Sequence, residues 1–117
     1  MVESADATAG DGPALAREYY RAVDAGDWEC LRGILDPAFV QERGDRTFDD
    51  RDAFLTFMAE NRPETDTEHV VEGVYSGPDG VAVQGRLLRA DDSLFFEFVD
   101  VFRVDGRLTH LRTYSKG

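Results

Sequence analysis

The chain has 117 residues, 42% of them hydrophobic, and carries 24 acidic against 13 basic side chains, for a net charge of −11. This length fits a single domain with its own core. No apolar run approaches the roughly 20 residues that a membrane span needs, and the negative charge opposes binding to nucleic-acid phosphates. The start of the chain lacks a basic-then-apolar signal pattern, so we expect a cytoplasmic protein.

Counts of particular residue types also indicate which cofactors are excluded and what kind of organism the protein resembles in composition. Cys30 is the one cysteine, which excludes an intrachain disulfide and a cysteine-ligated metal site. No glycine-rich phosphate loop or dinucleotide fingerprint is present, so no nucleotide cofactor is implied. The two histidines, His69 and His110, stand at unrelated positions, so we predict no metal. Lys116 is the single lysine. An acidic excess with almost no lysine resembles the cytoplasmic proteins of salt-loving archaea, in which concentrated salt screens the surface repulsion.

The chain opens with a segment that differs from the rest. Residues 1–12 are small and acidic and include glycine, which predicts a flexible leader. The folded domain is then expected to span residues 13–117. Pro13 suits the first turn of a helix, because its missing N–H has no partner there in any case.

Two helices are predicted after the leader. Apolar residues recur at helical spacing from Leu15 to Val23, and Ala25-Gly26 ends the first helix. Asp27 can cap the second helix by accepting hydrogen bonds from its free N–H groups. Asp36-Pro37 then stops that helix.

The middle of the chain predicts an irregular strand and a third helix. Residues 39–48 read as a short strand or hairpin that turns at Gly44-Asp45. Asp49 or Asp50 can cap the third helix. The sequence Asn-Arg-Pro at 61–63 ends it.

The apolar period then changes to two, which is typical of strands. Asp105-Gly106 is a strong hairpin signal between the last two of them. The predicted strands are 70–75, 81–88, 94–104 and 108–114. Three helices followed by antiparallel strands define an α+β fold.

Three segments carry a family resemblance. Residues 19–28 read Tyr-Tyr-Arg-Ala-Val-Asp-Ala-Gly-Asp-Trp, residues 98–109 read Phe-Val-Asp-Val-Phe-Arg-Val-Asp-Gly-Arg-Leu-Thr, and residues 48–54 form the turn before the third helix. In this order they resemble the nuclear-transport-factor-2-like superfamily, with SnoaL-like polyketide cyclases and ketosteroid isomerases as the nearest subfamilies. The resemblance implies a cone-shaped fold, with three N-terminal helices packed on a curved antiparallel sheet. It also implies a pocket for a small, mostly apolar ligand, no cofactor, and frequent homodimers.

The long strand 94–104 is partly apolar on both faces. Phe96, Phe98 and Asp100 share one face, whereas Val99 and Val101 lie on the other. We therefore predict that one face lines the pocket and that the outer face pairs with a second subunit. The expected pocket lining is Met58, Val83, Gly85, Leu87, Phe96, Phe98, Phe102, Leu111 and Thr113.

Asp100 is the most informative residue, because burying an isolated carboxylate among phenylalanines is unfavourable. Such a group finds partners or stays protonated with a raised pKa. By the resemblance, Asp100 matches the acid that ketosteroid isomerases keep protonated to donate a hydrogen bond to the substrate oxyanion. The alternative is a structural ion pair with Arg112 or Arg43.

The resemblance also assigns Tyr19 to the oxyanion-hole tyrosine and Glu42 to the general base. The alternatives are a tyrosine that only packs in the core and a solvated strand charge. The sequence departs from the isomerases, since Glu42 replaces their aspartate-proline pair. Their supporting tyrosines are replaced by Leu35 or Ile34 and by Met58.

Both histidines are candidates for a different arrangement. By the resemblance, SnoaL-like cyclases favour a His–Asp pair for proton transfer, which His69 or His110 could supply. Neither spacing is diagnostic. His110 alternates with Leu108 and Arg112, which predicts the outward face, and His69 opens a strand, where an exposed or capping histidine is common.

Two classes of function stay open. In the first, a cofactor-independent enzyme moves a proton next to the carbonyl group of a small, mostly apolar compound. Asp100 and Tyr19 would stabilise the enolate, with Glu42 as base. In the second, the pocket only binds a small hydrophobic molecule, or the fold is a dimeric interaction module. The superfamily hosts both classes, so the fold alone does not choose.

Overall fold

The computed structural model describes residues 11–61 and 66–116. The helices of this part are α1 (Gly12–Ala25), α2 (Trp28–Ile34) and α3 (Arg51–Thr56), with α3 continued by a π-helical turn, Phe57–Asn61. Its strands are β1 (Leu35–Glu42), β2 (Thr47–Phe48), β3 (Glu68–Ser76), β4 (Gly80–Leu88), β5 (Leu94–Asp105) and β6 (Arg107–Lys116). Among the described residues, no helix is both long enough and apolar enough to pass through a bilayer.

Aspartates cap the N-termini of the three α-helices in the described part of the chain. The side chains of Asp11, Asp27 and Asp50 each accept a hydrogen bond from the backbone N–H three residues further on. These bonds satisfy N–H groups that have no partner inside the helix. Gly26 closes α1 in the left-handed conformation, with φ of 69°. The cap predicted at Asp27 and the predicted end of the first helix are confirmed, and of the two candidates Asp49 and Asp50 it is Asp50 that caps the third helix.

Two boundaries differ from the prediction. Helix α1 begins at Gly12 with Asp11 as its cap, so these residues belong to the helix rather than to the expected leader. The rest of that leader, residues 1–10, lies outside the described part of the chain. Strand β1 starts at Leu35, directly after α2, and not at 39. It tolerates Pro37 because its pairing with β6 shifts register within this stretch.

The sheet is mixed. Its strand order is β2-β1-β6-β5-β4-β3, and β1 runs parallel to β6, whereas the other neighbours are antiparallel. The prediction of a wholly antiparallel sheet is therefore wrong at this one pair. The connection from β1 to β6 contains α3 and four strands, and a parallel pair requires a long connection of this kind.

A bulge in β6 decides which side chains face the core. The pairing of β5 with β6 skips Thr109. The extra residue reverses the alternation, so that Leu108 and Leu111 are both fully buried. His110 shares a face of β6 with Arg112, as the two-residue alternation predicted. Because of the bulge, Leu108 does not lie on that face.

The core lies between the helices and the inner face of the sheet. Strand β5 alternates as predicted, with Phe98, Asp100 and Phe102 buried and the intervening residues exposed. Strand β4 approaches β3 closely at Gly85, where an added Cβ would lie 2.3 Å from the carbonyl oxygen of Val70. Glycine is needed there because any side chain would meet backbone.

Candidate functional site

A cavity of about 130 Å³ lies between α1, the π-helical turn and the inner face of the sheet. Its apolar lining is Phe57, Met58, Leu87, Phe95, Phe96 and Phe98. Its polar lining is Tyr19, Gln41, Arg43, Thr67, His69, Asp100 and Thr113. An apolar wall with a few convergent polar groups is the usual composition of a small-molecule site.

The expected pocket residues divide into two groups. Those that line the cavity are Met58, Leu87, Phe96, Phe98 and Thr113. Those that are buried in the adjoining core, outside the cavity lining, are Val83, Gly85, Phe102 and Leu111. In this adjoining core the rings of Tyr19 and Tyr20 pack edge-on against Phe102, with 5.3 and 5.9 Å between ring centres.

Asp100 lies at the cavity with only 5% of its surface exposed. The hydroxyl of Tyr20 donates to its Oδ2 at 2.6 Å, and that of Thr113 donates to its Oδ1 at 2.7 Å. Burial raises the pKa of Asp100, while these two hydrogen bonds oppose the rise because they favour the ionised form. Among the described residues no arginine forms an ion pair with it, so its partners are hydroxyls rather than Arg112 or Arg43.

The tyrosine whose hydroxyl donates to Asp100 is Tyr20. It is not Tyr19, the preceding residue, for which the oxyanion-hole role was predicted. Tyr19 lines the cavity and packs edge-on against Tyr20, with 5.1 Å between ring centres. Both tyrosines are buried in α1. The helical pattern marks both as core residues, and it contains no signal for which hydroxyl reaches β5.

A histidine–aspartate pair borders the same cavity. His69 Nδ1 lies 2.7 Å from Oδ1 of Asp24, and the backbone N–H of His69 donates to Oδ2 of Asp24 at 2.9 Å. Because a carboxylate can only accept, Nδ1 carries a proton, and the tautomer of this ring that acts as a base has its lone pair on Nε2. These two hydrogen bonds to Asp24, which lies at the end of α1, hold the ring of His69 in place at the cavity.

Glu42 lies elsewhere. Its carboxylate accepts from His110 Nε2 at 2.6 Å and from Arg112 at 3.2 Å, and it is not among the residues that line the cavity. Hydrogen bonds from His110 and then Arg112 lower the pKa of Glu42. The structure therefore brings Asp100 and Tyr19 to one cavity and keeps Glu42 and His110 outside its lining.

Gln41 is a cavity residue that sequence reasoning missed. It is 5% exposed, and its Nε2 donates to the hydroxyl of Thr113 at 3.3 Å. Its Oε1 is buried and has no hydrogen-bond partner among the described residues. Arg43, two residues on, adds a cation to the lining and lies 3.6 Å from Asp45.

The fold shows the class of protein, and a match in sequence shows the family. A curved mixed sheet with helices packed on its inner face and a cavity between them is the nuclear-transport-factor-2-like fold. The profile of the SnoaL-like domain matches residues 16–111 of the chain. The protein therefore belongs to the SnoaL-like family. No curated protein matches the chain.

Several solved structures share the fold. A provisionally assigned ketosteroid isomerase from Kribbella flavida is 24% identical, with 89% of this chain and 76% of that chain covered and a TM-score of 0.72. A provisionally assigned polyketide cyclase from Sinorhizobium meliloti is 18% identical, with 91% and 98% covered and a TM-score of 0.77. An M. tuberculosis LEH-like epoxide hydrolase is 19% identical, with 87% and 80% covered and a TM-score of 0.75. Identities this low establish a common fold and no shared activity.

Proposed function

We propose that the protein is a cofactor-independent enzyme of the isomerase or cyclase type, which transfers a proton next to the carbonyl group of a small, mostly apolar compound. One observation supports this above all. A buried carboxyl group, Asp100, and an oriented histidine, His69, line the same cavity. A site with one neutral donor and one base is what proton transfer requires.

Asp100 is the donor in this proposal. Its raised pKa favours the neutral carboxylic acid, whose proton can be donated to the carbonyl oxygen of the ligand. The bonds from Tyr20 and Thr113 fix the plane of the carboxyl group before the ligand arrives. As negative charge develops on the ligand oxygen, this preorganised hydrogen bond strengthens and stabilises the enolate.

His69 is the base. Its Nε2 lone pair takes the proton from the carbon next to the carbonyl, and Asp24 stabilises the imidazolium that forms. The same Nε2–H then returns the proton to another carbon of the enolate, so the isomerisation is balanced without a cofactor. The role predicted for Glu42 passes to His69, because Glu42 is engaged with His110 and Arg112 away from the cavity lining.

The size of the cavity supports a small ligand. Its volume of about 130 Å³ is close to the ~150 Å³ of an engineered cavity that binds benzene. A ligand built on one ring suits this space better than a fused steroid. The predominantly aromatic wall suits an apolar ring next to the carbonyl.

Exchange of the methyl protons of acetophenone with D₂O, followed by proton NMR, tests the proposal. We expect the wild-type protein to accelerate the exchange, and Asp100→Asn and His69→Gln each to reduce it by roughly 10²-fold. Glu42→Gln is the matched control and should exchange at the wild-type rate. If acetophenone binds but wild-type and variant proteins leave its exchange at the buffer rate, the cavity is a binding site without this chemistry.

A further inference from the structure

We infer that the ligand of this cavity carries a carboxylate group, which binds the guanidinium of Arg43. The chemical class is thus a small, aromatic or otherwise apolar keto acid, with its carbonyl group inside the cavity and its carboxylate at the rim. The inference deepens the proposed function and rests on it in one respect, namely that the carbonyl group meets Asp100. Its test measures binding and needs no turnover.

The hairpin of β1 and β2 directs Arg43 toward the cavity. Arg43 directly follows β1, and its backbone N–H donates to the carbonyl oxygen of Arg46 at 2.9 Å, so the pairing of the two strands continues through these residues. Side chains alternate along a strand, which puts Arg43 on the same face as the buried Gln41 two residues earlier. Both side chains line the cavity.

Arg43 and Asp100 also stand in one row across the inner face of the sheet. Glu42 pairs with Arg112 of β6, so the next position of the chain comes beside Thr113, and Thr113 pairs with Asp100 of β5. Neighbouring strands are about 4.8 Å apart, so the two backbones in this row are separated by about 10 Å. Asp100 is 5% exposed, whereas the side chain of Arg43 is 30% exposed. A ligand whose carbonyl group meets the buried acid therefore reaches the arginine at the solvent side of the cavity.

The rim keeps a positive charge that a ligand can neutralise. The ion-pair partner of Arg43 among the described residues is Asp45 at 3.6 Å, and the same carboxylate contacts Arg46 at 3.3 Å. Two cations thus share one carboxylate, which is 62% exposed and screened by water. Both guanidinium groups lie over the ring of Phe57, a wall of the cavity, at 5.6 and 4.7 Å from its centre.

A carboxylate is the anion that suits this place. The planar guanidinium presents a fork of N–H donors that matches the two oxygens of a carboxylate, and it stays protonated throughout the physiological pH range. The chain as a whole has a net charge of −11, so its surface repels anions in general. A positive rim on an acidic protein therefore favours an anionic ligand at this cavity over the rest of the surface.

The bound carboxylate would also act on Asp100. Burial raises the pKa of Asp100, its two hydrogen bonds oppose the rise, and the positive charge of Arg43 opposes it as well. A carboxylate beside Arg43 offsets that charge, so binding should raise the pKa of Asp100 further. The ligand would thus favour the neutral acid that the proposed proton transfer uses as donor.

The test compares 4-oxo-4-phenylbutanoate, which is acetophenone extended by CH₂–COO⁻ at its methyl carbon, with the uncharged 4-oxo-4-phenylbutanamide of nearly equal volume. Dissociation constants are measured at pH 7 by NMR titration of cavity resonances. We expect the wild-type protein to bind the acid roughly ten-fold more tightly than the amide, or better. Arg43→Gln should bind the two compounds about equally. Arg17→Gln, which removes an exposed charge of α1 outside the cavity lining, should keep the preference.

Four results would overturn the inference: equal binding of acid and amide by the wild-type protein, a preference that survives in Arg43→Gln, a preference lost equally in Arg17→Gln, or binding of neither compound. A pKa of Asp100 that is the same with acid and with amide bound would also contradict it. Thermal melting establishes that Arg43→Gln is folded, and Arg43→Met is a second uncharged replacement if it is not. The proton-transfer proposal is judged separately, by the deuterium exchange of acetophenone, so either idea can fail while the other stands.

Discussion

The hydroxyl of Tyr20 donates a 2.6 Å hydrogen bond to Oδ2 of Asp100, 80 positions further along the chain. The bond joins helix α1 to strand β5 at the inner face of the sheet. Burial raises the pKa of both groups, since each ionised form loses its water. The acid of the cavity is therefore tuned by the packing of a helix on the sheet.

Removing this hydrogen bond should raise the pKa of Asp100. In Tyr20→Phe the ionised carboxylate loses a donor that favours it, so we expect a higher pKa than in the wild-type protein. Thr113→Val should act in the same direction. A titration of the Asp100 carboxyl carbon by NMR measures the shift, with Glu42→Gln as a control that leaves it unchanged. A lower pKa in Tyr20→Phe would contradict the assignment.

The same group makes stability depend on pH. The pKa of Asp100 is raised in the folded state, so its neutral form stabilises the fold below the unfolded value of ~3.9, and this contribution is lost as pH rises through the folded value. Asn does not titrate. The free energy of unfolding of Asp100→Asn should therefore increase relative to that of the wild-type protein as pH rises above ~3.9. The difference should become constant once pH exceeds the pKa of Asp100 in the folded state.

Urea denaturation at a series of pH values measures this difference. The lowered pKa of Glu42 has the opposite effect, but it is present in both proteins and cancels in the comparison. A difference that stays constant from pH 4 to pH 8 would show that Asp100 has an ordinary pKa.

Asp24 is expected to act through His69. Asp24→Asn replaces the carboxylate that holds Nδ1–H and stabilises the imidazolium, so the acetophenone exchange rate should fall by roughly 10²-fold. The affinity for acetophenone should change little. A purely structural role would instead lower binding and melting temperature together and leave the pH profile of the exchange unchanged.

Gly85→Ala should destabilise the fold by about 1–3 kcal/mol, since the new Cβ would meet the carbonyl oxygen of Val70 at 2.3 Å. Gly33→Ala is the matched control. Its added Cβ meets nothing within 4 Å, and in helix α2 the exchange should stabilise by about 0.5–1 kcal/mol. Urea denaturation of both variants measures the two changes in the free energy of unfolding. An unchanged free energy of unfolding in Gly85→Ala would show that β3 and β4 can move apart there at little cost.

The outer sheet face carries the proposed homodimer contact. Val99, Val101 and Tyr114 lie there with 39%, 39% and 53% of their surfaces exposed. Placing a charge in such a patch opposes its burial, so Val101→Glu should convert a dimer into a monomer. Analytical ultracentrifugation of the two proteins decides the matter, and a monomeric wild-type protein would rule the dimer out.

Local chemistry in the sequence predicts much of the fold. Asp27 and Asp50 cap helices by bonding to residues three positions away, and Asp105-Gly106 turns the chain between β5 and β6 with φ of 74° at the glycine. These effects involve neighbours in sequence, so they can be inferred without a tertiary structure. Asp100 was also identifiable, because the two-residue period of a strand shows that it shares a face with phenylalanines.

Other features depend on contacts between distant segments. The parallel pairing of β1 with β6 and the clamp between Asp24 and His69, 45 positions apart, have no local signal. Tyr19 and Tyr20 are both core residues of α1, and the rotation of that helix on the sheet decides which hydroxyl meets Asp100. The sequence by itself determined most of the elements, the caps of the second and third helices and the buried acid. The tertiary structure alone decided the partners of that acid, because hydrogen bonds between side chains depend on how elements pack rather than on their spacing along the chain.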